Sequence, residues 1–295
     1  MLDCTQYNTR SENEMKRILI RSTPLYPILR RLSSKTQQLL LRMSKPYQFS
    51  HNGIITKFQT NEMYSQRWFY PRYSGGKQHE PQATQKFVEA ISHANTVVDV
   101  GANLGWFTCI AASQNTKCQV YGFELDGSNY QILHDNIELN QLTNAMVENV
   151  AVTNYDGELI YSKSDIGEAS AVHRLGREEK VSCKANAIKL DTFFANKPQP
   201  EVIKIDVEGA EQLVLEGMTN ILRGKTLKVI LIEIHPKWLS ELGGSVAEVC
   251  KLLRKAEFSL FSFEHRSQME SESSIDVSEI ESTCVGGRMF IARKD

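Results

Sequence analysis

The sequence predicts a doubly wound α/β fold: a mostly parallel, Rossmann-like, seven-stranded sheet with helices on both faces. Three observations point to it. Short β-branched runs alternate with amphipathic stretches from Pro81 onward, a glycine-bearing turn follows the first of those runs directly, and the length and composition suit one such domain with an N-terminal extension. At 295 residues, with 41% hydrophobic and 23% charged residues, the chain can bury a sizeable core and falls outside the disordered and collagen-like classes. The formal net charge of -1 weighs against nucleic acid as an obligatory partner, because neutralising phosphates takes a concentrated basic surface. Six cysteines, scattered without a CxxC pair or zinc-type histidine spacing, read as reduced, mostly buried thiols. No secretory h-region and no run of about 18 apolar residues is present, so the default compartment is the cytoplasm.

Residues 1–48 carry roughly nine Lys or Arg against three acids, and their apolar positions (Leu25, Ile28, Leu29, Leu32, Leu39, Leu40, Met43) return at near-helical spacing. That describes a basic amphipathic extension. A helix packed on the main domain is the favoured reading, and contact of residues 10–45 with an anionic membrane surface or an acidic partner is the alternative. Residues 49–80 form an aromatic-rich connecting segment (Phe58, Tyr64, Trp68, Phe69, Tyr70, Tyr73) that reads as packing, with a wall facing the substrate as the sharper option.

Residues 81–295 carry the regular pattern. A helix is predicted near 82–92, with strands at 96–100, 119–123, 146–150, 202–205, 227–234, 258–261 and 289–292. Between Gly157 and Asp191 short runs at 158–162 and 180–187 suggest an edge hairpin, and the acidic, serine-rich stretch 264–281 reads as a solvated loop or a flap.

The first strand runs into Asp99-Val100-Gly101-Ala102-Asn103-Leu104-Gly105-Trp106-Phe107. In open α/β sheets, ligands sit at the carboxyl ends of strands, where glycines such as Gly101 and Gly105 let the backbone approach a nucleotide-like group. The pattern is neither GxGxxG nor GxxxxGK[ST], so a pyrophosphate or triphosphate lacks its usual cradle. A carboxylate at Asp99 would repel phosphate but suits the ammonium and sulfonium of S-adenosylmethionine. Strand 2 ends in Phe123-Glu124, about 20 residues beyond the glycine turn, where an acid takes ribose hydroxyls. Asn149, after the third strand, is a candidate for the adenine edge. Asn103 and Phe107 complete the candidate cofactor set.

At strand 4 the chain reads Ile203-Lys204-Ile205-Asp206-Val207-Glu208-Gly209-Ala210-Glu211, and strand 5 delivers Glu233-Ile234-His235 to the same edge. Charged groups at the ends of central strands are costly beside apolar neighbours, which favours a functional explanation. At these residues the sequence resembles the FkbM family of methyltransferases, through Asp99 to Gly105, Phe123-Glu124, Leu190-Asp191-Thr192-Phe193, Ile203 to Glu211 and Glu233 to His235, with His79-Glu80-Pro81 similar to a piece upstream. The resemblance spans roughly residues 79–293. It implies a class I methyltransferase domain, S-adenosylmethionine as cofactor, and transfer to a hydroxyl of a sugar or glycan, a polyketide or a related small metabolite.

Methyl transfer from a sulfonium to oxygen is one in-line displacement and needs no covalent nucleophile. An alcohol still needs somewhere to send its proton. His235 is the leading candidate base, with Asp206 or Glu208 orienting it or acting in its place. Asp206 also belongs to the candidate cofactor set. A divalent ion, magnesium or manganese, held by Asp206, Glu233 and His235 is the weaker alternative to a hydrogen-bonded network of the same groups, so no metal is favoured. Lys204 is a candidate partner for these acids. The rivals are a domain that binds S-adenosylmethionine without turning it over or serves as a scaffold at a membrane, and a dinucleotide-dependent oxidoreductase, which the missing third glycine disfavours.

Overall fold

Residues 96–100, 202–205 and 229–234 read TVVDV, VIKI and VILIEI, rich in β-branched residues on both side-chain faces, which suits strands covered on two sides. The computed structural model describes residues 46–60, 78–163, 169–170, 181–264, 273–274 and 288–294. A hairpin of β1 (Tyr47–His51) and β2 (Ile54–Phe58) precedes helix α1 (Pro81–Ile91). Then come β3 (Thr96–Val100), α2 (Trp106–Gln114), β4 (Gln119–Phe123), α3 (Gly127–Leu139) and β5 (Ala145–Glu148). A separate four-stranded sheet follows, built from β6 (Ala151–Val152), β7 (Gly157–Lys163), β8 (Ala169–Ser170) and β9 (Val181–Ile188). The short helix α4 (Leu190–Phe193) leads to β10 (Val202–Ile205), α5 (Glu211–Glu216), α6 (Thr219–Arg223) and β11 (Val229–Ile234). Helices α7 (Pro236–Glu241) and α8 (Val246–Lys255) precede β12 (Ser259–Ser262), β13 (Ser273–Ser274) and β14 (Arg288–Arg293).

The main sheet has the order β13-β12-β14-β11-β10-β3-β4-β5. Strands β5, β4, β3, β10 and β11 run parallel, and β14 runs antiparallel to both β11 and β12. These are the seven strands expected from the sequence. The two-residue β13 adds an eighth at the β12 edge, inside the 264–281 stretch, most of which lies outside the described residues. The predicted edge hairpin is β7 against β9, paired antiparallel from Gly157↔Ala187 to Lys163↔Val181.

Alternation assigns each strand residue to a face. Val98, Val100, Ile203, Ile205, Ile230 and Ile232 pack with Leu215, Leu239 and Leu253 beneath α5, α7 and α8. Val97, Val202 and Leu231 face the other way, toward Phe87 of α1 and Phe107 and Ile110 of α2. Two residues further along the same strands, this second face turns polar, with Asp99, Lys204 and Glu233. The break in the apolar pattern marks where the core ends and the site begins.

The hairpin is fastened to the domain by ring packing and side-chain amides. Phe58 stacks on Trp106 at 4.8 Å between ring centres, and Phe49 meets the same indole edge-on at 5.4 Å. Asn136 of α3 accepts from the Gln59 N–H at 2.7 Å and donates to the Leu104 carbonyl at 2.8 Å. Phe58 is thus core packing; Tyr64, Trp68, Phe69, Tyr70 and Tyr73 lie outside the described residues, as does the predicted helix within 25–43. Among the described residues, no helix is long and apolar enough to cross a membrane.

Candidate functional site

Strand β3 lies between β4, which the chain enters next, and β10, which it reaches only after β5 and the separate four-stranded sheet. Such a switch point opens a crevice at the carboxyl ends of the strands. The turn leaving β3 is pinned across it: Gly101 and Ala102 both donate to the Phe123 carbonyl, at 3.0 and 2.9 Å. Asn103 donates its N–H to Glu124 at 2.7 Å, and the Asp126 N–H reaches the other oxygen of that carboxylate at 2.8 Å. Gly101 has φ 78°, and a Cβ there would lie 1.8 Å from the Asp206 carbonyl oxygen. Only glycine lets the exits of β3 and β10 approach this closely.

A cleft opens at these strand exits. Gly101, Asn103, Glu124, Asp206 and Glu208 contribute to its wall, with Val150 to Val152 on the far side. Burial pushes the Glu124 carboxyl up to about 7, against the pull of the Asp126 and Asn103 N–H groups. The side-chain oxygen of Asn103 is buried and accepts no hydrogen bond among the described residues.

Four candidate cofactor residues sit elsewhere. Asp99 is fully buried on the helix-covered face, where its carboxylate accepts from the Thr108 hydroxyl at 2.7 Å and lies 3.8 Å from the Lys204 ammonium. Alternation along β3 turns it away from the cleft, so its charge is matched inside the protein. Phe107 is on the same face, with Lys204 4.7 Å from its ring centre. Gly105 caps α2 and faces Leu133. Asn149 donates its amide to the carbonyls of Glu124 and Leu125, at 2.8 and 3.0 Å, and so shapes the β4 exit from behind.

The candidate catalytic residues converge. Ile205 pairs with Val100 on one side and Ile232 on the other, which sets Asp206 beside Gly101 and Glu233 at neighbouring strand exits. Lys204 reaches Asp206 at 3.4 Å. Burial opposes its charge, but Asp206, Asp99, Glu80 and Glu233 outweigh that and hold its pKa above the usual lysine value. His235 Nδ1 is 2.8 Å from Glu211, and Nε2 lies 3.4 Å from Glu208 and 3.6 Å from Glu233. The imidazole also stacks on Trp238 at 5.0 Å. Burial disfavours the imidazolium, yet the Glu211 hydrogen bond and the charges of Asp206, Glu208 and Glu211 prevail and lift His235 to about 9. Glu233 moves the same way, because burial and then the charges of Asp206 and Glu80 oppose its ionisation.

Sequence reasoning assigned no role to Glu80, Glu211 or Thr108. Glu80 stands before Pro81 in a left-handed conformation, φ 39°, and its charge is felt by both Lys204 and Glu233. A buried acid held in that region just upstream of the first helix is the kind of outlier that accompanies function. Glu211 is the last acid of the strand 4 motif and opens α5. Asp191, by contrast, is structural: it accepts the Asn220 and Ile221 N–H groups at the start of α6, at 2.9 and 3.1 Å. Among the described residues, two groups bring ligand atoms within 4.8 Å of one another: Asp206 with Glu233 and His235, and His134 with Asp135 and Glu138.

The family model described as the methyltransferase FkbM domain matches residues 99–260. A curated relative, the hexuronic acid methyltransferase AglP of Haloferax volcanii, is 28% identical over 180 residues, covering 61% of this chain and 70% of that one. Among solved structures, the methyltransferase FkbM of Methylobacillus flagellatus KT superposes with a TM-score of 0.42 at 13% identity, covering 68% of this chain and 43% of its own. A TehB-like S-adenosylmethionine-dependent methyltransferase of Corynebacterium glutamicum gives 0.43 at 11% identity, covering 79% and 96%.

Proposed function

Because this chain belongs to the FkbM family of S-adenosylmethionine-dependent methyltransferases, we propose that it transfers a methyl group to a hydroxyl oxygen of a sugar or glycan. The observation that carries this is the pairing of Gly101 with Glu124 at the switch point, which gives a close backbone approach and a buried acid on one cleft wall. The curated relative from Haloferax volcanii supports a sugar-type acceptor.

The residues present fit S-adenosylmethionine. The cleft at the carboxyl ends of the strands combines apolar walls, Val100, Phe123 and Val150 to Val152, with the polar groups of Asn103, Glu124, Asp206 and Glu208. Glu124, raised to about 7, gains from partners that stabilise its charge, such as ribose hydroxyls or a cationic ligand. Asn103 offers a buried acceptor that takes no donor among the described residues. S-adenosylmethionine, when bound, supplies a methyl carbon on a positively charged sulfur.

The chain's own task is to hold the acceptor in line and take its proton. The raised pKa of His235 changes the assignment made from sequence. In this arrangement the imidazole already carries a proton at neutral pH and stands as a cation 3.4 Å from Glu208. Glu208, half-exposed on the cleft wall, then accepts the proton, and Asp206, held by Lys204, positions the acceptor. A hexuronic acid has both hydroxyl and carboxylate oxygens. The acids at Asp206 and Glu208 disfavour a further carboxylate beside them, which supports ether formation.

Calorimetry with S-adenosylmethionine on wild type and Glu124→Ala tests the cofactor assignment. Tight binding weakened about tenfold or more by the substitution is expected, and no binding by folded wild type would sink the proposal. Methyl transfer to hydroxylated sugars, with Asp206→Ala, Glu208→Gln and His235→Ala as controls, tests the chemistry. A product that mild alkali hydrolyses is an ester and rules out the hydroxyl acceptor.

A further inference from the structure

We propose that Asp206, Glu233 and His235 form a binding site for one divalent, oxygen-preferring cation of the magnesium or manganese type. Their ligand atoms lie within 4.8 Å of one another at the exits of adjacent strands β10 and β11. The register fixes that closeness, since Ile205 and Ile232 are paired and Asp206 and Glu233 are the residues that follow.

An independent observation comes from the imidazole. The His235 side chain is 9% exposed and its Nδ1 is engaged by Glu211, which is itself 0% exposed. Its other nitrogen, Nε2, makes no hydrogen bond among the described residues, and points at Glu233 and Glu208 from 3.6 and 3.4 Å. Nε2 is thus aimed at the space beside the Glu233 carboxylate that a cation would occupy, and binding of the ion would release the proton that Nε2 carries in its absence. A histidine whose far nitrogen is held by a buried carboxylate is also how proteins orient imidazole toward a metal. Two carboxylates and one imidazole favour a hard or borderline ion, and three protein ligands leave positions open on an ion of six-fold preference.

Those open positions give the site a use. Asp206 belongs to the cleft wall, so the ion would be within reach of acceptor oxygens. A vicinal diol would chelate it, and the ion would lower the hydroxyl pKa while Glu208 takes the proton. This use rests on the methyl-transfer proposal; the cation site does not, and it is tested with neither methyl donor nor acceptor present.

The experiment titrates the chelator-treated full chain with Mn²⁺ and follows the electron paramagnetic resonance signal of the free ion. Wild type is expected to bind one ion, with Asp206→Asn and His235→Ala each weakening binding by about tenfold or more. Glu233→Gln, near-isosteric, should do the same, and circular dichroism confirms that each variant is folded. His134→Ala, which removes the exposed group on α3, should leave binding unchanged. The proposal is overturned if folded wild type takes up no Mn²⁺, if the folded site variants bind as tightly as wild type, or if binding is lost in His134→Ala instead. Loss of S-adenosylmethionine binding alone would strike the methyl-transfer proposal and leave the cation site standing.

Discussion

His235 Nδ1 and the Glu211 carboxylate lie 2.8 Å apart in a pocket closed to solvent, and the same carboxylate oxygen takes the Gly209 N–H at 2.9 Å. The pair ties the exit of β11 to the start of α5. In metal-free protein, Glu211→Gln should lower the His235 titration midpoint from about 9 toward the ordinary 6.5, followed by NMR of the ring protons. The sign for stability follows from a folded-state pKa raised above the unfolded one. The contribution is full below about 6.5 and lost as pH rises through about 9, so the stability gap between wild type and variant narrows over that window. Its upper size is roughly 3 kcal/mol. An unmoved midpoint would show that Glu211 does not set the charge of His235.

Glu124 makes a second pH dependence. Its carboxyl is raised from 4.5 to about 7, so the unfolded chain gives up this proton first, and the folded state loses stability as pH climbs from about 4.5 to about 7. Ligand binding runs the other way if it uses the ionised form. S-adenosylmethionine should bind about tenfold more tightly at about pH 8 than at about pH 6, because the competent fraction rises by that factor. Calorimetry at the two values measures it. Glu124→Gln should abolish the difference; a slope that survives in this variant belongs to another group.

What the sequence revealed and what it hid have the same origin. Strands at 96–100, 119–123 and 202–205 were legible because β-branched runs end abruptly at glycine or charged turns. That Gly101, Glu124 and Asp206 line the cleft was legible because each directly follows such a run, where a crevice must open. The placement of Asp99 and Phe107 away from the cleft was not legible. Proximity in a motif does not tell which face a side chain takes, and alternation sends Asp99 under α2, to Thr108 and Lys204. The parts played by Glu80 and Glu211 depend on Lys204, Glu233 and His235, contacts made only once the sheet is assembled.

Lys204 lies in this polar layer between Asp99 at 3.8 Å and Asp206 at 3.4 Å. Removing one partner of a buried pair leaves the other uncompensated, typically at a cost of about 3–5 kcal/mol. Lys204→Met should therefore destabilise the protein on that scale in urea denaturation. Asp99→Asn in the same chain should recover part of the loss, because the charge that Lys204 offsets is then gone. Strictly additive effects of the two substitutions would mean that the pair is not coupled in the folded state.

The last prediction concerns how the hairpin supports the cleft. Asn136 accepts from the Gln59 N–H and donates to the Leu104 carbonyl, and Leu104 directly follows Asn103 in the turn that lines the cleft. Asn140 repeats the device one helical turn later, accepting from the Lys57 N–H at 2.7 Å and donating to the Lys57 carbonyl at 2.6 Å. Two side-chain amides thus stand in for a strand partner along β2. Asn136→Ala leaves a buried carbonyl and a part-buried N–H without these partners, at about 1–3 kcal/mol. Hydrogen exchange should then quicken at Gln59 and in the turn after β3, while amides of β3 and β10 keep their protection. Binding of S-adenosylmethionine should weaken in parallel, since the Asn103 N–H that orients Glu124 belongs to the loosened turn. Faster exchange confined to the hairpin, with ligand affinity unchanged, would show that the turn is held by its bonds to Phe123 and Glu124 alone.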